Sequence, residues 1–326
     1  MEGTLPTTFG YQITPNGWLA TPEAICMLAE RAERLHLSSL WFGDHVVIPR
    51  FVDSFYPYDS RGDSPFDPGA AHLEPLTALS FLAAKTSRVQ IGMNVLVVPY
   101  RNPVLTASIL STIDVLSHGR LIVGVGSGWL KEEFEVLRAP IYEERGAVTD
   151  DYIRLFKALW TEDRPSFQGK YYNVADIGFQ PRPTQRPHPP IWVGGDTDAA
   201  LRRAAQLGDG WTPLALVPNS MLEPPEMADR IRKLRSMLRE LGRDSDAFPL
   251  SVTIPVAFDP DAGLSHPLTS GAPEQIARTL SRYVDLGVRN FVVRPAARSI
   301  GEVGEHMERF VHEVVPLVGT SLRRAD

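Results

Sequence analysis

Short apolar runs alternate with longer amphipathic stretches from one end of the chain to the other. Thr8 to Ile13 reads as a first strand. Pro22 to Leu35 carries Ile25, Leu28, Ala29, Ala32 and Leu35 at helical spacing, behind the helix-start signal Thr21-Pro22-Glu23. Leu37 to Phe42 is a second strand, Glu74 to Lys85 a helix, and Val89 to Val98 a third strand. Asn102 to Leu116 predicts a helix, and Leu121-Ile122-Val123 starts a fourth strand that runs into glycines at 124, 126 and 128 and then a charged, helix-prone segment. Glu144 to Trp160 predicts a long helix, and Ser166 to Pro189 a hairpin with a proline-rich excursion. Ile191-Trp192-Val193, Trp211 to Leu214, Leu250 to Phe258 and Asn290 to Val293 supply four more strands. Helices at Thr197 to Leu207, Pro224 to Leu241, Pro273 to Leu286 and Ile300 to Val318 separate and close them.

Repeated strand–helix units with short, wholly apolar strands imply parallel pairing and a closed sheet. The expected fold is therefore an α/β (β/α)8 TIM barrel, one domain over residues 1–326, with insertions after strands 2 and 4. The first insertion, Pro49 to Leu73, is rich in Pro, Asp, Gly and aromatic residues, a length and composition that suit a lid or substrate loop. In such barrels the chemistry sits on loops at the C-terminal ends of the strands, where every unusual segment of this chain falls.

With 43% hydrophobic residues in 326, the chain can bury a large core. A net charge of −6 argues against nucleic acid or an anionic membrane as partner. Cys26 is the only cysteine, which excludes an internal disulfide and suits a reducing cytosol. The opening MEGTLPTTFG lacks a basic and apolar leader, and no apolar run approaches membrane-spanning length. The histidines at 36, 45, 72, 118, 188, 266, 306 and 312 show no metal-ligand spacing, so no metal is expected. G-x-S-x-G, the hydrolase elbow, is absent.

Two glycine turns stand out. Gly126-Ser127-Gly128-Trp129 and Gly194-Gly195-Asp196-Thr197 each join a strand to a helix-forming segment. A glycine admits close approach of a ligand to the backbone, and the first amides of a helix favour an anion. A tight turn needing positive φ, or a plain N-cap at Asp196, explains the same residues without a ligand. The Gly124-x-Gly126-x-Gly128 spacing is not the dinucleotide fingerprint, which requires G-x-G-x-x-G after the first strand. Asp44-His45 after the second strand either caps a turn or places an imidazole where it can move a proton near neutral pH.

Taken together, Leu40-Trp41-Phe42-Gly43-Asp44-His45, Ile91 to Leu96, Gly119 to Phe134, Pro190 to Gly195, the Ala199 to Ala205 helix and Gly208-Asp209-Gly210-Trp211 resemble the bacterial luciferase-like superfamily of flavin- and deazaflavin-dependent oxidoreductases. Within it, the chain most resembles the actinobacterial branch that uses coenzyme F420. The resemblance implies hydride transfer between F420 and a small organic substrate, with FMN-dependent monooxygenation as the alternative and a non-catalytic flavin-binding protein as a third reading. It implies His45 as the acid/base group and Asp44 as a cofactor contact. Met93, Asn94 and Val95 are expected to form a bulge with a non-proline cis peptide at 94–95 behind the cofactor ring. Of the turns Gly126, Ser127, Gly128 and Trp129 and Gly194, Gly195, Asp196 and Thr197, one or both are expected to face the phosphate and its chain, Gly194-Gly195 with the Thr197 hydroxyl being the stronger phosphate candidate. A homodimer is also implied. Where alcohol- and sugar-phosphate-type relatives carry a proton-donating glutamate this chain has Trp129, and Trp129, Trp211, Phe51, Phe55, Tyr56 and Tyr58 are candidate walls for an apolar or planar substrate. The polyanionic F420 tail calls for a basic rim, with Arg50, Arg61, Arg101, Arg182 and Arg186 as candidates. Lys85, Lys131, Lys157, Lys170 and Lys233 lie in helices or loops, which disfavours a lysine-based aldolase.

Overall fold

A computed structural model describes residues 6–59, 62, 64–261 and 266–318. Strands β1 (Thr8–Gln12), β2 (Ser39–Phe42), β3 (Gln90–Val97) and β4 (Leu121–Gly126) alternate with helices α1 (Pro22–Arg34), α2 (Pro75–Lys85) and α3 (Pro103–Leu116). Each helix opens on a proline that needs no hydrogen bond from its nitrogen, behind the caps Thr21, Glu74 and Asn102, whose side chains accept from Ala24, Thr77 and Leu105. After β4 come a short α4 (Lys131–Leu137), the long α5 (Arg145–Thr161) and a small antiparallel hairpin, β5 (Phe167–Gln168) with β6 (Asn173–Val174). The chain then runs through β7 (Ile191–Val193), α6 (Asp198–Leu207), β8 (Gly210–Trp211), α7 (Pro224–Glu240), β9 (Ser251–Val256), α8 (Pro273–Asp285), β10 (Asn290–Pro295) and α9 (Ile300–Arg309).

The eight-stranded sheet has the order β8-β7-β4-β3-β2-β1-β10-β9, and all its neighbours are parallel. It closes through single parallel bridges of Trp211 with Leu250 and Leu214 with Thr253. This is the expected (β/α)8 barrel. The sixth strand is shorter than the sequence implies, because Pro213 has no N–H to extend the ladder. The last helix also departs from a continuous Ile300–Val318 reading: after Arg309 it widens into a π turn over Phe310–Val314 and tightens into a 3-10 turn at Val315–Leu317, which holds Pro316.

Alternation along the strands separates two cores. Leu40, Phe42, Ile191, Val193, Phe291 and Val293 face the helices and join the outer core. Trp41, Ile122, Trp192 and Val292 form a cluster of their own inside the barrel, with the two indoles stacked at 5.5 Å. The indoles fit because the strands beside them carry glycine. A Cβ on Gly92 would lie 2.6 Å from Trp41, and one on Gly210 would lie 2.6 Å from Trp192. The lumen is thus a packed plug, as such barrels require, and any site sits above it. Polar side chains adjoin this plug on the neighbouring strands. Gln12 Nε2 donates to the Asn94 carbonyl at 2.6 Å, and Asn94 Nδ2 donates to Thr253 Oγ1 at 2.6 Å.

Candidate active site

The strand ends form one mouth over that polar layer. β3 bulges there, its register against β4 shifting between Met93 and Leu96, and the Asn94–Val95 peptide is cis, as expected. Val95 projects between two neighbouring strand ends. A Cβ on Gly126 would lie 2.4 Å from Val95 Cγ2, and one on Gly194 would lie 2.6 Å from Val95 Cγ1. Both glycines therefore make room for a valine, rather than supply positive φ. The backbone demand falls instead on Gly128 (φ +83°) and Gly195 (φ +86°). Met93 is fully buried in the outer core and so turns away from the mouth; its expected place beside a cofactor is not where the side chain lies.

Asp44 and His45 face different ways, as neighbours at a strand end do. The Asp44 side chain has no exposure: it accepts from the Val97 amide at 2.8 Å and from both terminal nitrogens of Arg101 at 2.8 Å. Arg101 also donates to Glu74 at 2.8 Å. Burial lowers the pKa of this guanidinium, and the Asp44 and Glu74 carboxylates more than offset that, holding it above the usual arginine range. Asp44 is thus an internal brace between the β2 and β3 ends and not an open cofactor contact. Arg101 is likewise withdrawn from the rim.

His45 Nδ1 lies 2.7 Å from Glu133 Oε2, and Glu133 is completely buried in the first turn of α4. Its other oxygen accepts from the amides of Val46 and Val47 at 2.7 and 3.1 Å. The preceding residue repeats the device: Glu132 Oε1 accepts from the Asp53 and Ser54 amides at 2.8 and 3.0 Å. Consecutive acids in one helical turn thereby pin the long loop after β2. The His45 ring sits among aromatics, with Phe66 at 4.2 Å and Trp129 at 6.1 Å, and Tyr56 meets Trp129 at 5.0 Å. Trp129 is a wall of the mouth, and its carbonyl accepts from the Tyr142 hydroxyl at 2.8 Å. Gly126 and Ser127 are half-buried beside it, and the Gly128 carbonyl accepts from Arg145 Nε at 3.0 Å.

The other candidate walls divide. Tyr56 is buried, while Phe51 is 89% and Phe55 58% exposed, so those two do not line an enclosed pocket. Trp211 is buried too, and its indole N–H donates to the Gly195 carbonyl at 2.8 Å, bracing the turn after β7 from below. Burial raises the Tyr58 phenol to about 12. Burial also raises Tyr56, against the pull of the Arg294 guanidinium close to its hydroxyl.

At the β7 end, the Gly194 amide donates to Val125 at 2.9 Å. Thr197, not Asp196, caps α6: its hydroxyl accepts from the Ala200 amide at 3.2 Å. Asp196 accepts from the Ser220 hydroxyl at 3.2 Å. Arg203 is held by Asp150 and the Gly146 carbonyl, away from the turn. Arg182 and Arg186 are also displaced. Their loop returns the chain to the start of β7: Arg182 reaches Thr161 at the end of α5, and neighbouring Gln185 reaches Leu121 at the start of β4. They belong to the opposite end of the barrel. Arg61 lies outside the described residues.

Glu133, Phe66 and Arg294 were not picked out from sequence. Glu133 had a signal: it follows Leu130 by three positions and precedes Phe134, both buried, so it is an acid on the inward face of its helix. Nothing local marks Phe66 or Arg294, which meet the site only through the closed barrel.

Among known proteins, the chain is 31% identical over 263 residues to the F420-dependent glucose-6-phosphate dehydrogenase of Kineococcus radiotolerans, covering 78% of this chain and 69% of that one. It is 38% identical over 138 residues to the FMNH2-dependent dimethylsulfone monooxygenase of Pseudomonas putida, covering 42% of this chain and 38% of that one. The solved structure of an F420-dependent secondary alcohol dehydrogenase in complex with an F420–acetone adduct shares the fold, with a TM-score of 0.76 at 19% identity over 96% of this chain and 99% of the other. The model of the luciferase-like monooxygenase family matches residues 4–263, and the chain belongs to that family.

Proposed function

We propose that this chain is an oxidoreductase that transfers a hydride between coenzyme F420 and a small, apolar or planar organic substrate. The observation that carries the reading is the caged imidazole: His45 is tied through Nδ1 to a buried carboxylate and flanked by Phe66 and Trp129 at the barrel mouth. The cage offers a flat molecule apolar faces and one group able to take or give a proton. Similarity to the Kineococcus radiotolerans enzyme over most of the chain supports the deazaflavin.

The residues present fit such a cofactor. The half-buried Val95 stands between the Gly126 and Gly194 turns and offers a firm apolar back wall for a planar ring. Gln12, Asn94 and Thr253 give a polar floor. The opening amides of α6, capped by Thr197, suit a phosphate, since the first helix amides have no partner within the helix. A cavity of about 520 Å³ adjoins that turn; its lining is mixed in charge, with Asp196, Glu226 and Asp229 beside Arg230 and Lys233, the two cations being paired with Asp198. When bound, a deazaflavin supplies a carbon that exchanges hydride and largely avoids oxygen chemistry. The chain's own part is to orient the ring on Val95, exclude water with the aromatic loop and move a proton at His45.

Reduced FMN with oxygen is the second reading. It is favoured by the likeness to the Pseudomonas putida monooxygenase and by the loss of Arg101, Arg182 and Arg186 from the rim, since FMN has no polyglutamyl tail to neutralise. A homodimer in the cytosol accompanies either reading, and sedimentation checks the assembly.

The test mixes reduced F420 with a panel of planar enone, quinone and nitroaromatic acceptors and follows F420 reoxidation. His45→Ala is expected to bind F420 as the parent does and to turn over about 100-fold more slowly, the lower range for a lost general acid or base. Equal turnover in the variant contradicts the role given to His45.

A further inference from the structure

We infer that Glu133 is a positioning residue that sets the tautomer of His45, placing the proton on Nδ1 and leaving Nε2 as a proton acceptor at the mouth. The role in turnover rests on the reading of His45 as the acid/base group; the tautomer does not.

The assignment follows from donor and acceptor accounting around a side chain with no exposure, which the Tyr100 hydroxyl also faces as a further donor. Glu133 Oε1 faces two backbone N–H groups, Val46 at 2.7 Å and Val47 at 3.1 Å. A backbone amide only donates, so this oxygen is committed as an acceptor. Oε2 is 2.7 Å from His45 Nδ1, and a carboxylate has no proton to give. The hydrogen of that contact therefore belongs to Nδ1, and in the neutral ring the lone pair lies on Nε2. The His45 side chain keeps 11% exposure against none for Glu133, so the ring edge away from the acid is the one that meets the mouth. The same acid fixes the ring's direction, because the two amides it holds directly follow His45 in the chain: imidazole and following backbone are gripped by one carboxylate.

Glu133→Gln turns this accounting into a prediction. The two amides claim the glutamine carbonyl oxygen, which places its NH2 where Oε2 stood. That group only donates, so Nδ1 must accept, and the ring's proton moves to Nε2. The acceptor at the mouth is lost in a side chain of nearly unchanged shape.

The experiment is long-range 1H–15N correlation on histidine-labelled full-length protein at mildly alkaline pH, without cofactor or substrate. The His45 signals are assigned by their loss in His45→Ala. The parent is expected to show a protonated Nδ1 and an unprotonated Nε2, and Glu133→Gln the reverse. A parent ring protonated on Nε2 or on both nitrogens overturns the inference, and so does a variant whose tautomer is unchanged. If the variant does not fold, the parent spectrum alone decides. With F420 and an acceptor, Glu133→Gln is expected to lose about 100-fold in kcat while cofactor affinity stays within about threefold. A confirmed tautomer with no turnover by the parent would retire the functional reading and leave the positioning role standing.

Discussion

Val95 and the glycines facing it give a quantitative test of how the mouth is built. In Gly126→Ala the new methyl would sit 2.4 Å from Val95 Cγ2 and 3.3 Å from Val95 Cβ. The residue does not have positive φ, so the expected loss comes from contact and not from backbone strain. Valine is stiff at χ1 and cannot swing the methyl aside cheaply. Overpacking of this kind costs about 1–3 kcal/mol. Val95→Ala removes the colliding methyl and leaves only the 3.3 Å approach to Cβ, so in that background Gly126→Ala should cost under about 1 kcal/mol, a coupling of about 1–2 kcal/mol. Gly195→Ala is the control: its φ of +86° makes it strained whatever stands at position 95. The assay is urea unfolding followed by circular dichroism, with stabilities compared at a common slope. Equal losses for Gly126→Ala in both backgrounds would refute the wedge and return Gly126 to a role in ligand approach alone.

Three further outcomes follow from buried polar groups. Arg101→Met strands the Asp44 carboxylate without its partner, and should destabilise by about 3–5 kcal/mol in urea unfolding, with Asp44→Asn in the same chain recovering part of the loss. Burial lowers His306 from 6.5 to about 4, while its Nε2 donates to the Val256 carbonyl at 2.9 Å. The unfolded chain then binds the proton first as pH falls, so stability should drop between pH 6.5 and about 4, by about 3 kcal/mol at 1.36 kcal/mol per pH unit, and His306→Gln should flatten that slope. Trp211→Phe frees the Gly195 carbonyl and should weaken cofactor binding about tenfold by titration, with the barrel still folded, as one lost hydrogen bond of about 1 kcal/mol or slightly more allows.

Periodicity carried most of the architecture, because strand and helix spacing are local properties: Pro22–Arg34, Pro103–Leu116 and Ile191–Val193 each fall within a residue or two of where the apolar pattern puts them. The cis bond at 94–95 came through the family resemblance, since nothing in Met93-Asn94-Val95 demands it. What escaped was long-range. Glu133 lies 88 residues from His45, and only barrel closure brings them within 2.7 Å. Asp44 looked like an open ligand because its strand-end position is right; its orientation depends on Arg101, 57 residues away. Gly126 and Gly194 were legible as glycines that matter, but the reason, a valine between them, belongs to packing across three strands.

The most direct measurement is a fluorescence titration of the purified apoprotein with F420 and, separately, with FMN. Saturable F420 binding at micromolar concentration or tighter, with FMN clearly weaker, is the predicted result. Preferential binding of FMN would contradict the F420 assignment and make oxygen consumption the assay to run. Binding of neither would contradict the cofactor site placed between Val95 and the capped start of α6.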